Sequence, residues 1–199
     1  MAIGLQFQRV SDPLEGQSKW WGAPDLPLDM DYPCASDGEP LLFVCQIRLE
    51  DIAQYDTENL LPHTGMLYFF ADMAEYVESL DGFSGDEHNG LGEWSEGCYR
   101  VLYSPTCENL EPFAVVYDDD EPAFLKAEKI LFSEVGDNHD SFKLLGRPYY
   151  DEIAEQYPDK YCLLQIDESD EWALPLYDCG MLCFLISPED LAAQRWDKT

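Results

Sequence analysis

The side chains that can move a proton, hold a metal or act as a nucleophile are unevenly supplied in this 199-residue chain: 41 acidic residues, 11 basic ones and three histidines. A general base near neutral pH, or a zinc site, would draw first on His63, His88 and His139. None stands at His-Glu-x-x-His spacing, and there is neither a phosphate-cradling glycine loop nor a Gly-x-Ser-x-Gly elbow. The cysteines are Cys34, Cys45, Cys98, Cys107, Cys162, Cys179 and Cys183, with no Cys-x-x-Cys among them. Three lie inside apolar, strand-like runs, the pattern of reduced buried thiols in a cytosolic protein rather than a disulfide framework. Cys107, Cys179 and Cys183 would need a neighbouring base to act as nucleophiles, and no Cys/His signature supplies one. No catalytic residue, metal site or cofactor is therefore predicted. The chain leans away from enzymes, although active sites do assemble from distant residues.

Carboxylates are abundant but poorly spaced for a hard cation, which needs oxygens converging from fixed positions. Asp118 to Glu121, the pair Asp137 and Asp140 around His139, and the acidic stretch Asp81 to Glu96 all lack the EF-hand pattern. Adjacent acids on a turn usually form a solvated face. The run Asp167-Glu168-Ser169-Asp170-Glu171 is better placed, at the end of an expected strand. Gln46 and Gln165 follow apolar neighbours on their own strand faces and are expected to be at least half buried. A buried amide must be hydrogen-bonded, at a cost of about 1–3 kcal/mol if it is not. Either each amide clamps backbone in its own half of the chain, or the two make paired ligand contacts. Gln46, Gln165, Asp167 and Asp170 are accordingly the ligand-binding candidates. Trp20 and Trp21 are the interface candidates, because consecutive side chains on an extended segment face opposite ways and one should be exposed.

The formal net charge of −30 excludes whole classes of partner. Nucleic acid recognition needs a basic footprint, and anionic membrane surfaces repel an acidic chain. Cations, basic ligands and a basic protein partner remain, and the same acidity would also serve plain solubility. No run reaches the ~18 apolar residues of a membrane span. Met1 to Val10 contains Gln6, Gln8 and Arg9 and lacks a signal-peptide core, so a cytoplasmic protein is expected. The oligomeric state is not legible.

The elements that must position these residues repeat. Lys19-Trp-Trp-Gly-Ala-Pro24, Tyr32-Pro33, Phe43-Val-Cys-Gln-Ile47 and Gly65-Met-Leu-Tyr-Phe69 recur in order as Lys143-Leu-Leu-Gly-Arg-Pro148, Tyr157-Pro158, Cys162-Leu-Leu-Gln-Ile166 and Gly180-Met-Leu-Cys-Phe184. The offset is 124 for the lysines, 119 for the glutamines and 115 for the final glycines, drifting where a loop changes length. The expectation is one domain over residues 1–199 with an internal duplication, 19–73 and 143–192, too long in period for a solenoid and so two halves around a shared core. Alternation predicts strands over Leu41 to Leu49, Met66 to Ala71, Gly97 to Tyr103, Tyr161 to Ile166 and Met181 to Ile186. Ile3 to Val10 reads as an edge strand, and Glu111 to Tyr117 as extended. Phe124 to Val135 fits neither period. Short helices are expected over Glu50 to Tyr55, Tyr149 to Tyr157 and after Ser187-Pro188, where serine caps and proline opens the first turn. The fold class is α+β, strand-rich, mostly antiparallel, with few short helices.

The same blocks, together with Pro40 to Leu49, Tyr99 to Ser104 and Leu163 to Ile186, resemble the YwqG-like proteins, bacterial cytosolic proteins grouped as a domain of unknown function. The resemblance covers most of the chain. Trp20-Trp21 departs from the smaller residues usual there, and Glu171 to Tyr177 replaces a commoner Met-Trp-Gly-Asp type of segment. The resemblance implies an α+β fold with two similar halves and no established reaction. Two functions follow as expectations. One is a non-enzymatic, acidic protein-binding module, immunity-like in neutralising a basic partner. The other is a small-ligand-binding protein or enzyme with a pocket between the two repeat halves.

Overall fold

The computed structural model describes residues 1–73, 93–95, 97–116, 125–172, 174, 176 and 180–199. His88, Asp118 to Glu121, Cys179, most of Asp81 to Glu96 and part of Glu171 to Tyr177 lie outside the described residues. The fold is strand-rich, and its strand pairings are mostly antiparallel. Among the described residues the α-helices are short: α1 (Leu49–Ile52), α2 (Asp151–Gln156) and α3 (Pro188–Ala192). The chain divides into two units, unit 1 of Met1–Leu5, Met73–Glu96 and Ser133–Thr199, and unit 2 of Gln6–Asp72 and Gly97–Phe132.

Unit 2 is built on strands β2 (Lys19–Trp20), β4 (Leu42–Arg48), β5 (Met66–Ala71) and β6 (Tyr99–Ser104), with the first part of β8 (Glu128–Val135). They lie in the order β8-β2-β4-β5-β6, each antiparallel to its neighbour. A second, two-stranded sheet pairs β3 (Asp25–Pro27) with β7 (Leu110–Pro112). β5 is buried along its whole length between two neighbours, which is why Met-Leu-Tyr-Phe-Phe-Ala reads as a continuous apolar run. Between the sheets pack Leu26, Leu41, Phe43, Met66, Tyr68 and Phe70. The Phe43 and Phe70 rings lie 5.4 Å apart, and Tyr32 meets Phe70 edge-on at 5.3 Å.

Unit 1 has the order β11 (Met181–Ile186), β10 (Tyr161–Asp167), β9 (Lys143–Leu144), β1 (Ala2–Gln8), followed by the end of β8. β1 was expected at an edge. Instead Ile3 pairs with Leu144, and a Cβ on Gly4 would stand 2.6 Å from Val135, so the strand is flanked on both sides and Ala2 to Leu5 are buried. Ser187 caps α3 as its sequence requires: its Oγ accepts from the Asp190 N–H at 3.0 Å, one of the donors a helix start leaves over.

One local geometry occurs in both units. Trp21 and Gly22 take φ of 57° and 80°; Leu145 and Gly146 take 61° and 82°. The Trp21 N–H reaches the Val44 carbonyl at 2.8 Å, and the Leu145 N–H reaches Leu163 at 3.4 Å. Both long strands carry an irregularity at the equivalent step, Phe43/Cys45 in β4 and Cys162/Leu164 in β10. The left-handed turn corrects the expectation for Trp20 and Trp21. Alternation requires β geometry at both residues, and a positive φ at Trp21 breaks it, so both indoles are 0% exposed and pack edge-to-face at 5.3 Å. Gly22 is obligatory here: a Cβ would come 2.7 Å from the Ala127 Cβ.

Candidate functional site

Unit 2 places a charge where a core normally excludes one. Lys19 and Gln46 are direct partners across β2 and β4, so their side chains leave the sheet on one face, toward Asp25 at the start of β3. Oδ2 of Asp25 accepts from the Lys19 ammonium at 2.8 Å, the Gln46 amide at 2.6 Å and the Gly16 N–H at 2.8 Å. The Gln46 Oε1 in turn accepts from the Asp25 N–H at 2.8 Å, its Nε2 donates again to the Gln17 carbonyl at 2.8 Å, and Tyr68 donates its hydroxyl to the Asp25 carbonyl at 2.7 Å. Lys19, Asp25 and Gln46 are all buried. A buried pair of charges persists only with this kind of dense hydrogen bonding, because removing two ions from water costs several kcal/mol each. The network ties β3 to the larger sheet.

Unit 1 repeats the lysine and the glutamine without the carboxylate. Lys143 and Gln165 are again direct partners, on β9 and β10. The residue at the Asp25 position is Tyr149, whose N–H donates to the Gln165 Oε1 at 2.9 Å. Gln165 Nε2 donates to the Ser141 carbonyl at 2.7 Å and the His139 carbonyl at 3.1 Å. Lys143 is fully buried and donates to the carbonyls of His139 at 2.8 Å and Asp137 at 3.2 Å. Burial holds its ammonium below the usual lysine range, against the weaker pull of Cys162, Cys183, Asp137 and Asp140.

The four ligand-binding candidates therefore divide between units: Gln46 in unit 2; Gln165, Asp167 and Asp170 in unit 1. Both glutamines are 0% exposed, and each amide spends both its donors and its acceptor on protein partners. Asp167 lies two residues beyond Gln165 on β10 and is half-buried. Desolvation lifts its carboxyl above the ordinary range, with Glu168 and Asp140 adding repulsion and the Glu168 N–H and Ser141 hydroxyl opposing. Asp170 is exposed in the 3-10 turn Asp170–Trp172. His63 stands 3.7 Å from Asp56, and His139 3.5 Å from Asp140. Burial pushes the Cys45 and Cys162 thiols well up; Cys162 also hydrogen-bonds to Cys183. Cys45 has burial alone acting on it, and at Cys162 the nearby Lys143 ammonium pulls the other way but is outweighed by burial, so neither is held as a thiolate. Among the described residues no group of three or more His, Cys, Asp or Glu is placed to hold a metal ion. No helix among them is long and apolar enough to cross a membrane.

Sequence reasoning missed two features. Asp25 was not singled out, although a buried lysine demands a counter-charge and Asp25 directly follows the repeated Lys-to-Pro block. The second is a cavity of about 400 Å³ within unit 2, lined by Gln17, Ser18, Arg48, Asp51, Tyr55 and the β8 stretch from Lys129 to Phe132. Ser18 organises it, accepting from the Arg48 N–H at 2.9 Å and donating to Asp51 at 2.7 Å. The Tyr55 hydroxyl donates to the Phe132 carbonyl at 3.1 Å.

Two stretches of the chain, residues 18–144 and 119–199, match the model of a family described as a domain of unknown function, DUF1963. Together they take in nearly all of the chain, which belongs to that family. No curated protein matches it.

Proposed function

We propose that this member of the DUF1963 family is a non-enzymatic, acidic binding module whose partner is a basic protein, immunity-like in neutralising it. The observation that carries the reading is where the few cations go. Lys19 and Lys143 are fully withdrawn into the two units. Arg9 is held by Glu128, Arg195 by Glu189 and Asp190, and Lys198 lies beside Asp197. A chain of net charge −30 that buries or pairs these five of its eleven cations presents an acidic face and attracts basic partners over long range. Unit 2 also exposes apolar side chains beside acids. Leu28 is 75% exposed next to Asp29 and Asp31, and Phe113, stacked on Tyr32 at 5.1 Å, follows Glu111. Apolar anchors rimmed by charge are the composition of a recognition surface.

The test is affinity capture from the native cell extract at low and high salt, comparing wild type with Leu28→Ser/Phe113→Ser. The reading expects a basic protein retained by wild type, released by salt and lost from the variant. Equal capture by both forms, or no salt-sensitive basic partner, overturns it.

We read the family as the YwqG-like bacterial group, place the chain in the cytoplasm, and derive its units from an internal duplication. Three correspondences support that origin: the left-handed pairs Trp21-Gly22 and Leu145-Gly146, the strand irregularities, and the hydrogen bonds of Gln46 and Gln165 to positions 124 residues apart, Gln17 and Ser141, Asp25 and Tyr149.

A further inference from the structure

The cavity beside α1 gathers both signs of charge in a chain with few cations to place. Lys129 stands on its β8 wall, directly across from Lys19 in the β2–β8 register, and pairs with no carboxylate among the described residues. Arg48 lines the β4 side, and its Nε reaches only the half-exposed Glu50 at 3.4 Å. An exposed pair of that kind contributes at most about 1 kcal/mol, so an incoming carboxylate can displace it. Asp51 faces the same space, its carboxylate fixed by the hydroxyl of the buried Ser18 at 2.7 Å. The lining thus carries two positive side chains, Arg48 and Lys129, and one negative, Asp51, with Glu50 against Arg48 outside it. The cavity is divided into positive and negative parts.

We propose that this cavity binds a free α-amino acid, its carboxylate toward Arg48 and Lys129 and its ammonium toward Asp51. Three arguments lead to that ligand class. Arginine presents a planar fork of donors that matches a carboxylate in two bonds, which a lone surface lysine does not. A net anion would have to approach through the field of a −30 protein, and a net cation would meet Arg48 and Lys129 on arrival. A zwitterion has no net charge to repel and two charged ends to orient. The volume of about 400 Å³ falls in the ordinary range for small-molecule sites, about 300–1,000 Å³. Ile130 and Leu131 add apolar wall for a side chain, and Gln54 an amide.

Isothermal titration of the intact chain with each of the twenty amino acids tests the site, followed by the N-acetyl and carboxamide derivatives of the tightest binder. Saturable binding is expected for at least one amino acid. Each derivative, which lacks one of the two charges, should bind about tenfold or more weakly, the scale of one charge-assisted hydrogen bond. Lys129→Gln and Asp51→Asn should each weaken binding similarly while the circular dichroism melt stays native. Lys160→Gln, in the other unit, should leave it unchanged. Lack of saturable binding by all twenty, equal binding of the N-acetyl form, or wild-type affinity in Lys129→Gln would each overturn the assignment.

Discussion

Replacing Lys19 by methionine removes one half of a buried ion pair and leaves the other half in place. Asp25, 1% exposed, would keep the Gly16 N–H and the Gln46 amide as donors but lose the only full positive charge among its bonded partners. Stranding a buried charge in this way costs about 3–5 kcal/mol. Lys143→Met, at the equivalent position of unit 1, should behave differently. It strands no carboxylate, and neither carbonyl it releases is orphaned: His139 O still accepts from Gln165 at 3.1 Å, and Asp137 O from the Arg147 N–H at 3.1 Å. The substitution also relieves the desolvation that depresses the ammonium. We expect a change within about 1 kcal/mol of zero, of either sign. Urea unfolding followed by far-ultraviolet circular dichroism separates the two. With slopes of about 1–3 kcal/mol per molar urea, the Lys19→Met midpoint should fall by roughly 1 M or more while Lys143→Met barely moves. Hydrogen exchange of the β4 and β10 amides would assign each loss to its unit. The double variant Lys19→Met/Asp25→Asn should recover part of the loss by removing the stranded charge. Equal destabilisation by the two lysine substitutions, or no recovery in the double variant, would refute the electrostatic account.

The remaining predictions concern backbone and pH. Gly65→Ala should cost about 2–4 kcal/mol in the same titration, because φ is +94° and a Cβ would collide with the Ser104 carbonyl, whereas Gly16→Ala, at φ +65° with open space around it, should cost only about 1 kcal/mol. Stability should fall as pH rises past about 8.5–10, the unfolded range of cysteine and tyrosine. Burial raises the folded values of Cys45, Cys162, Tyr32 and Tyr68, so the native state holds protons that the unfolded chain releases, and the stabilisation present below that window is lost above it. Lys143, lowered by burial, acts in the opposite direction but is one group against four. Cys45→Val should flatten the decline by about 1.4 kcal/mol per pH unit, measured as urea midpoints across that range; an unchanged slope would show that Cys45 does not contribute.

Much of the framework was legible in local signals. Met66–Ala71 and Met181–Ile186 coincide with their expected bounds because each apolar run opens after a glycine, and the second closes at Ser187-Pro188. The burial of Gln46 and Gln165 was legible from their apolar strand neighbours. β8 was not, because its residues follow the changing cover along the strand, buried at Glu128 and Ile130 but exposed at Leu131. No alternation survives such a pattern. The Trp20-Trp21 pair misled because a left-handed tryptophan is rare enough that propensity argues against it. The cavity was illegible for a different reason. Its walls come from residues 17–18, 48–55 and 129–132, and long-range pairings, Lys19↔Lys129 and Lys19↔Gln46, bring them together.

The pairing of Ile3 with Leu144 also bears on how the chain is made. A ribosome adds roughly 5–20 residues per second, so the 141 positions between these partners correspond to roughly 7–28 s of synthesis. Throughout that interval the nascent chain carries Ala-Ile-Gly-Leu, apolar and destined for burial, before β9 exists to receive it. The residues of unit 2 are complete once Phe132 is made. Folding of this protein during translation therefore has an order written into its strand pairing, with β1 emerging 141 residues before its β9 partner. Chaperones that shield nascent apolar segments should matter most for β1, and conditions that slow elongation should expose it longest.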